Sequence, residues 1–164
     1  MPRPKVDFRR ILEILAQHQV DFIVVGGICA VLHGAPIATF DLDVVHSRRP
    51  ENIERLLAAL EALQGRYRAQ PDRQLKPDRS HLSSPGHQLL MTRFGPLDVL
   101  GSIAQGRDYD RLISHTTPLI IKRGITVRLL SLETLIEVKQ ETGRAQDKAV
   151  LPILRRTLQE KSKS

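Results

Sequence analysis

Tryptophan is absent from the 164 residues, and aromatic side chains make up only 4% of them. A core must therefore rest on Leu, Ile, Val and Ala, a composition that suits an α/β fold. Cysteine is almost as scarce. Cys29 alone can form no internal disulfide, and its apolar neighbours are those of a small buried thiol, so a reducing cytoplasm is the expected compartment. No apolar run approaches membrane-spanning length, and the basic start Met1-Pro2-Arg3-Pro4-Lys5 leads into an amphipathic pattern; neither signal peptide nor anchor is expected. Internal repeats, low-complexity tracts and a linker between apolar segments of equal weight are also missing. The length suffices for one full core and is short for two. A single domain over 1–159 is expected, with a frayed tail over 160–164.

Positive charge, by contrast, is in excess. Lys and Arg number 25 against 18 Asp and Glu, giving a formal charge of +7 and a pI near 10.1. That balance favours polyanionic partners such as nucleic acid or nucleoside triphosphate, although a merely basic, soluble surface fits the charge equally well.

Periodicity divides the chain into alternating elements. Phe8, Ile11, Leu12 and Leu15 describe a helix with one buried stripe ending near His18. Phe22-Ile23-Val24-Val25 is a continuous apolar run closed by Gly26-Gly27, as expected of a central strand buried on both faces. Ile28 to His33 reads as a short helix capped by Gly34, with Pro36 forbidding continuation. The strand that follows places Thr39, Asp41 and Asp43 on one face and Phe40, Leu42 and Val44 on the other. Pro50 opens a further helix with Ile53, Leu56, Leu57 and Leu60 as its stripe. Pro71 to His87 has little periodicity and reads as a long basic loop. Two hairpins are expected, Gln88–Phe94 with Leu97–Leu100 around Gly95-Pro96, and Leu119–Lys122 with Ile125–Leu129 around Arg123-Gly124. Two helices finish the chain, with Pro152 predicting a kink or break in the last. The whole is an α/β (α+β) fold, a mixed sheet flanked by helices.

The chemistry concentrates in a few residues. A double glycine between a buried strand and a helix lets backbone amides approach a phosphate with no Cβ in the way, yet Gly26-Gly27 alone fits a tight turn as well, and it lacks both the Walker and the dinucleotide patterns. Its weight comes from Asp41, Asp43 and Asp98. Like charges on neighbouring same-face positions repel, and a divalent cation is the natural partner. Three such carboxylates suit two Mg²⁺ ions, spaced roughly 3.5–4 Å in sites of this kind, with Mn²⁺ as a substitute. The alternative for Asp41 and Asp43 is an edge strand with its polar face in water. Farther on, helical periodicity turns Lys139 and Asp147 inward near Thr142-Gly143. Burial of either charge alone is costly, so Lys139 binds a phosphate or the two pair with each other. Arg144 is a weaker phosphate candidate. His33 reads as a hydrogen-bonded or solvent-facing helix-end histidine, and no histidine has metal-ligand spacing with Cys29, which excludes a zinc site.

In order, Val25-Gly26-Gly27, Thr39-Phe40-Asp41-Leu42-Asp43-Val44 and Leu97-Asp98-Val99 resemble the signature of the nucleotidyltransferase superfamily related to DNA polymerase beta. Within it the chain looks like the small bacterial proteins related to AbiEii toxins, through Lys139 on a late helix and the Arg-x-x-Asp of Arg144–Asp147. The resemblance implies Mg²⁺, a nucleoside triphosphate held at Gly26, Gly27 and Thr39, metal ligation by Asp41, Asp43 and Asp98, and an active centre that includes Lys139 and Asp147. It also implies transfer of a nucleoside monophosphate to a hydroxyl on RNA, protein or a small molecule, with a cognate toxin or antitoxin as a further partner. Ile37 and Phe40 depart from the family pattern. An inactive descendant that binds nucleotide, nucleic acid or a protein partner is the competing expectation.

Overall fold

Apolar runs of four to six residues, too short for helices and rich in Val, Ile and Leu, form the centre of the fold as strands. The computed structural model describes residues 5–163. Helix α1 (Phe8–Gln17) starts at Asp7, whose carboxylate accepts the Arg10 amide at 3.1 Å, and it buries Ile11, Leu12, Ile14 and Leu15. Strand β1 (Phe22–Val25) is buried throughout. It is followed by α2 (Gly26–Leu32), β2 (Leu42–His46), α3 (Pro50–Ala62), β3 (Arg66–Tyr67), α4 (Arg79–Ser83), β4 (His87–Thr92) and β5 (Gly95–Leu100). A small hairpin, β6 (Ser102–Ile103) and β7 (Arg107–Asp108), and the short α5 (Tyr109–Leu112) lead to β8 (Thr116–Lys122), β9 (Ile125–Leu130), α6 (Leu132–Thr142) and α7 (Ala145–Ser162).

The main sheet is mixed, seven strands in the order β3-β4-β5-β2-β1-β9-β8. β2 runs parallel to β5 and antiparallel to β1, and β1 runs parallel to β9. The acidic strand is thus central, which rules out the edge-strand alternative. Both expected hairpins form, β4 with β5 and β8 with β9. Among the described residues no helix is long and apolar enough to cross a membrane.

Several boundaries differ from the sequence expectation, each for a local reason. The helix after the double glycine starts at Gly26 itself, while β2 starts at Leu42, so Asp41 stands just ahead of the strand. The 71–87 segment is only partly loop: Asp78 and His81 cap each other's backbone amides at 3.0 and 3.1 Å and nucleate α4. α7 passes through Pro152 without a break. Pro152 is exposed, so the Lys148 carbonyl it leaves without an intrahelical donor can turn to water. The same helix continues to Ser162 where a frayed tail is expected.

One buried polar residue sets the register of the central strands. Asn52 has no exposed surface; its Oδ1 accepts the Asp21 amide at 2.7 Å, and its Nδ2 donates to the carbonyls of Ser47 and Asp21 at 2.8 and 3.1 Å. It ties the entry of β1 to the exit of β2, beside the Phe22 and His46 pair. Asn52→Ala leaves these backbone groups unpaired and is expected to cost about 2–4 kcal/mol, read from urea unfolding. A loss below about 0.5 kcal/mol would show that water replaces the amide.

Candidate functional site

Parallel pairing puts Asp43 directly beside Asp98, and antiparallel pairing puts Val25 opposite Asp43. Directly paired residues point to the same side of a sheet. The end of β1 and the two carboxylates therefore share one face, and Gly26 begins α2 at that point. Gly26 has φ +70°, and a Cβ there would collide with Asp43 Oδ2. A Cβ on Gly27 would collide with Thr39 Oγ1. A Cβ at either glycine would push Asp43 or Thr39 aside, and Gly26 is further favoured by its left-handed backbone. No side chain caps the first turn of α2, which leaves its leading amides available to an anion. Gly26→Ala is expected to cost about 1–3 kcal/mol and to displace Asp43, so that ligand binding falls more than stability alone explains. Melting and calorimetric binding on the same sample separate the two effects.

Asp43 and Asp98 are neighbours across the β2–β5 ladder, and two carboxylates so placed favour keeping one of them protonated. Burial, more than any other cause, raises the Asp43 carboxyl, to about 7; the hydrogen bond with Asp98 and the charges of Asp98 and Asp41 push the same way, and Lys139 opposes them. Asp98 is 9% exposed, and its buried Oδ1 has a single ion-pair partner among the described residues. Arg68 Nη2 lies 2.8 Å from that oxygen, a charge contact outside hydrogen-bonding alignment. A buried carboxylate oxygen held only by this ion pair keeps lone-pair capacity for a further partner.

The opposite wall comes from the end of the chain. Ser131 Oγ caps α6 by accepting the Thr134 amide at 3.2 Å, and Gly143 ends it in the left-handed conformation at φ +64°. The buried Arg107 grips Glu141 through both guanidinium ends, at 2.5 and 2.7 Å, and fixes the last turn of α6. That turn carries Lys139, whose ammonium donates to Asp147 Oδ1 at 3.0 Å. Thr142 Oγ1 and Arg144 Nε reach Asp147 Oδ2 at 2.5 and 3.0 Å. Burial on its own pushes the Asp147 carboxyl up, but the three donors outweigh it and hold the group below the usual carboxylate range. Of the two alternatives for Lys139, the ion pair is present; the lysine still faces the cavity and acts on Asp43 by charge.

A cavity of about 370 Å³ is lined by Gly26, Asp43, Asp98, Lys139, Arg144 and Asp147, together with His87 and apolar groups that include Leu100, Leu135 and Val138. Gly27, Thr39 and Asp41 do not line it; Asp41 reaches the pair through its charge. Among the described residues no three His, Cys, Asp or Glu side chains converge into a ready metal cage. The neighbouring carboxylates of Asp43 and Asp98 nevertheless fit a hard divalent ion that keeps several waters and takes its remaining ligands from phosphate oxygens. His33 is buried; the Leu130 carbonyl, 2.8 Å from Nε2, can only accept, which leaves Nδ1 to accept from Lys161 at 2.6 Å. Cys29 donates to the same carbonyl at 3.2 Å, and burial pushes its thiol up to about 12, so it is inert.

Arg68 and His87 escape sequence reading. Arg68 lies in a segment without periodicity, and His87 belongs to the end of a loop until the register of β4 is known.

No protein-family model matches the chain, and no curated protein matches it. Solved structures do. The chain is similar to the Thermotoga maritima protein TM1012, a candidate nucleotidyltransferase, with 17% identity and a TM-score of 0.55 over 93% of this chain and 91% of that one. It is also similar to the lincosamide antibiotic adenylyltransferase LnuA, solved with lincomycin bound, with 13% identity and a TM-score of 0.60 over 93% and 98% of the two chains. The shared feature is the nucleotidyltransferase fold.

Proposed function

We propose that this chain is a metal-dependent nucleotidyltransferase that moves a nucleoside monophosphate from a triphosphate to a hydroxyl acceptor. The observation that carries this reading is the Asp43–Asp98 pair, adjacent across the β2–β5 ladder and set beside Gly26. A bound divalent cation would neutralise the carboxylates and triphosphate oxygens and lower the pKa of the acceptor hydroxyl. Asp43 and Asp98 would hold that cation, and Asp41 would add charge from the strand entry. The backbone amide at Gly26, with Lys139 and Arg144 opposite, would orient the phosphates, and Gly27, outside the cavity lining, would serve through its close approach to Thr39. The acceptor oxygen would bond to the α-phosphorus as the bond to the bridging oxygen breaks and pyrophosphate departs, and Asp98 would take the hydroxyl proton. Asp147 acts indirectly, by aiming Lys139.

Likeness in fold to an adenylyltransferase supports the reaction class. A role in a toxin–antitoxin pair belongs to the same reading through the sequence resemblance. The test is transfer of label from a triphosphate, with Mg²⁺, to RNA, protein or aminoglycoside acceptors, beside calorimetry of triphosphate binding. Absence of product together with absence of metal-dependent binding would refute the enzyme; binding without turnover would favour the inactive descendant.

A further inference from the structure

A row of residues runs across the sheet from the carboxylate pair to its edge. Asp43 pairs with Asp98 and Asp98 with Leu89, and the Leu89 carbonyl accepts the Arg68 amide at 3.0 Å. One row farther along the strands, Met91 stands beside Arg66, and Arg93 follows two residues later. Arg66, Leu89 and Met91 share the face of the candidate site by the two-residue alternation of strands, and Arg93, in the turn beyond β4, lines the same groove as Arg66 and Arg68. Leu89 and Met91 are 46% and 42% exposed, so this face is open. It forms a second groove of about 440 Å³, lined by Arg66, Arg68, Met91 and Arg93. Arg68 joins the two, since its guanidinium contacts Asp98.

The charges in this region are unequal in a telling way. Lys76 and Arg79, in the segment between β3 and β4, are neutralised by Glu61 at 3.2 Å and by Glu54, while Arg73 there donates to Gln70 at 3.0 Å. Arg66 has only the Gly65 carbonyl, at 2.8 Å, and Arg93 lies over the Phe94 ring at 4.9 Å. Among the described residues neither forms an ion pair with a carboxylate. Like charges gathered without counterions favour an anion. Guanidinium forks match phosphate oxygens two at a time, and the exposed Met91 in the groove, with Leu89 in the lining of the first cavity, offers apolar contact to bases.

We propose that this groove holds the backbone of a single-stranded nucleic acid and directs its end toward Asp98. This names the acceptor class and rests on the transfer reading only for what happens at that end. A neutral or cationic small acceptor would leave the arginines uncompensated, and an acidic peptide would satisfy their charge without using the apolar strip between them.

Binding is measured apart from catalysis, by fluorescence anisotropy of a short labelled single-stranded RNA without triphosphate or metal. The double variant Arg66→Glu/Arg93→Glu is expected to weaken binding at least about tenfold and to flatten the salt slope by about 1.4, at ~0.7 per lost phosphate contact. Arg123→Glu/Arg155→Glu, with the same change in net charge at exposed sites elsewhere, should change affinity less than about threefold. The milder Arg66→Gln/Arg93→Gln pair must show the same ordering at unchanged melting temperature. Equal losses in groove and control variants, no salt-dependent binding by the native protein, or displacement of the RNA by an acidic peptide of equal charge would overturn the proposal. Binding that follows these predictions without label transfer would leave the groove assigned and refute the enzyme instead.

Discussion

Asp43→Asn should abolish nucleotidyl transfer and at the same time stabilise the metal-free protein near neutral pH. Transfer is expected to fall more than about 100-fold, beyond the 10- to 100-fold typical of residues that merely support a ligand. The stability gain follows from the raised carboxyl. Asp43 titrates near 7 in the folded protein against 3.8 as an ordinary carboxyl, so the folded state binds the extra proton between those values. Its contribution is fully present below about pH 4 and is lost as pH rises through 7. With one pKa unit equivalent to about 1.4 kcal/mol, and the site partly open to solvent, the metal-free protein should lose on the order of 2 kcal/mol across that window, roughly 4–8 °C in Tm. The Asn variant cannot titrate and should show a flatter profile between pH 5 and 8. Mg²⁺ should reverse the slope for the native protein, since its binding displaces the shared proton. Thermal melts in chelator and in Mg²⁺ across this range decide it; identical slopes for native and variant protein would remove the shared proton from the account.

The second large effect is expected at Asp147. This carboxylate is 3% exposed and receives Lys139, Thr142 and Arg144. Asp147→Ala strands the lysine at the α6–α7 junction. Breaking a fully buried pair costs about 3–5 kcal/mol, but the Lys139 side chain keeps 24% exposure, so about 2–4 kcal/mol is expected from urea unfolding. The pH sign is opposite to that of Asp43. The Asp147 pKa is lowered by folding, so its stabilisation is present above the unfolded value and disappears as acid titrates it; the acid limb of the native stability curve should flatten in the variant. A loss below about 1 kcal/mol would mean that Lys139 finds another partner or water.

The mixed sheet was legible because its strands are bounded by glycine, proline or short turns and consist of apolar runs that no helix period fits. Gly26, Asp43 and Asp98 fall together in space because β2 and β5 are parallel and in register, a relation the alternation of side chains suggests but cannot specify. Asp41 illustrates the limit: it has the same parity as Asp43, but the strand begins after it, and parity means little outside a ladder. α4 and β3 were missed since each depends on a few residues, the Asp78–His81 caps for one and pairing with β4 for the other. Pro152 misled because its cost depends on which side of the helix faces water. Asn52 carries no periodic signal, and only its buried partners reveal its role.

β9 lies parallel to β1 although about a hundred residues separate them. Until Ile125–Leu130 has left the ribosome, one side of the most apolar strand in the molecule has no neighbour, and the helices that close the cavity do not yet exist. A nascent chain at that stage presents Phe22–Val25 as an open template for other strands. Protection by a chaperone, or delayed docking of the first half, is the cost of building a central strand so early and completing its surroundings so late.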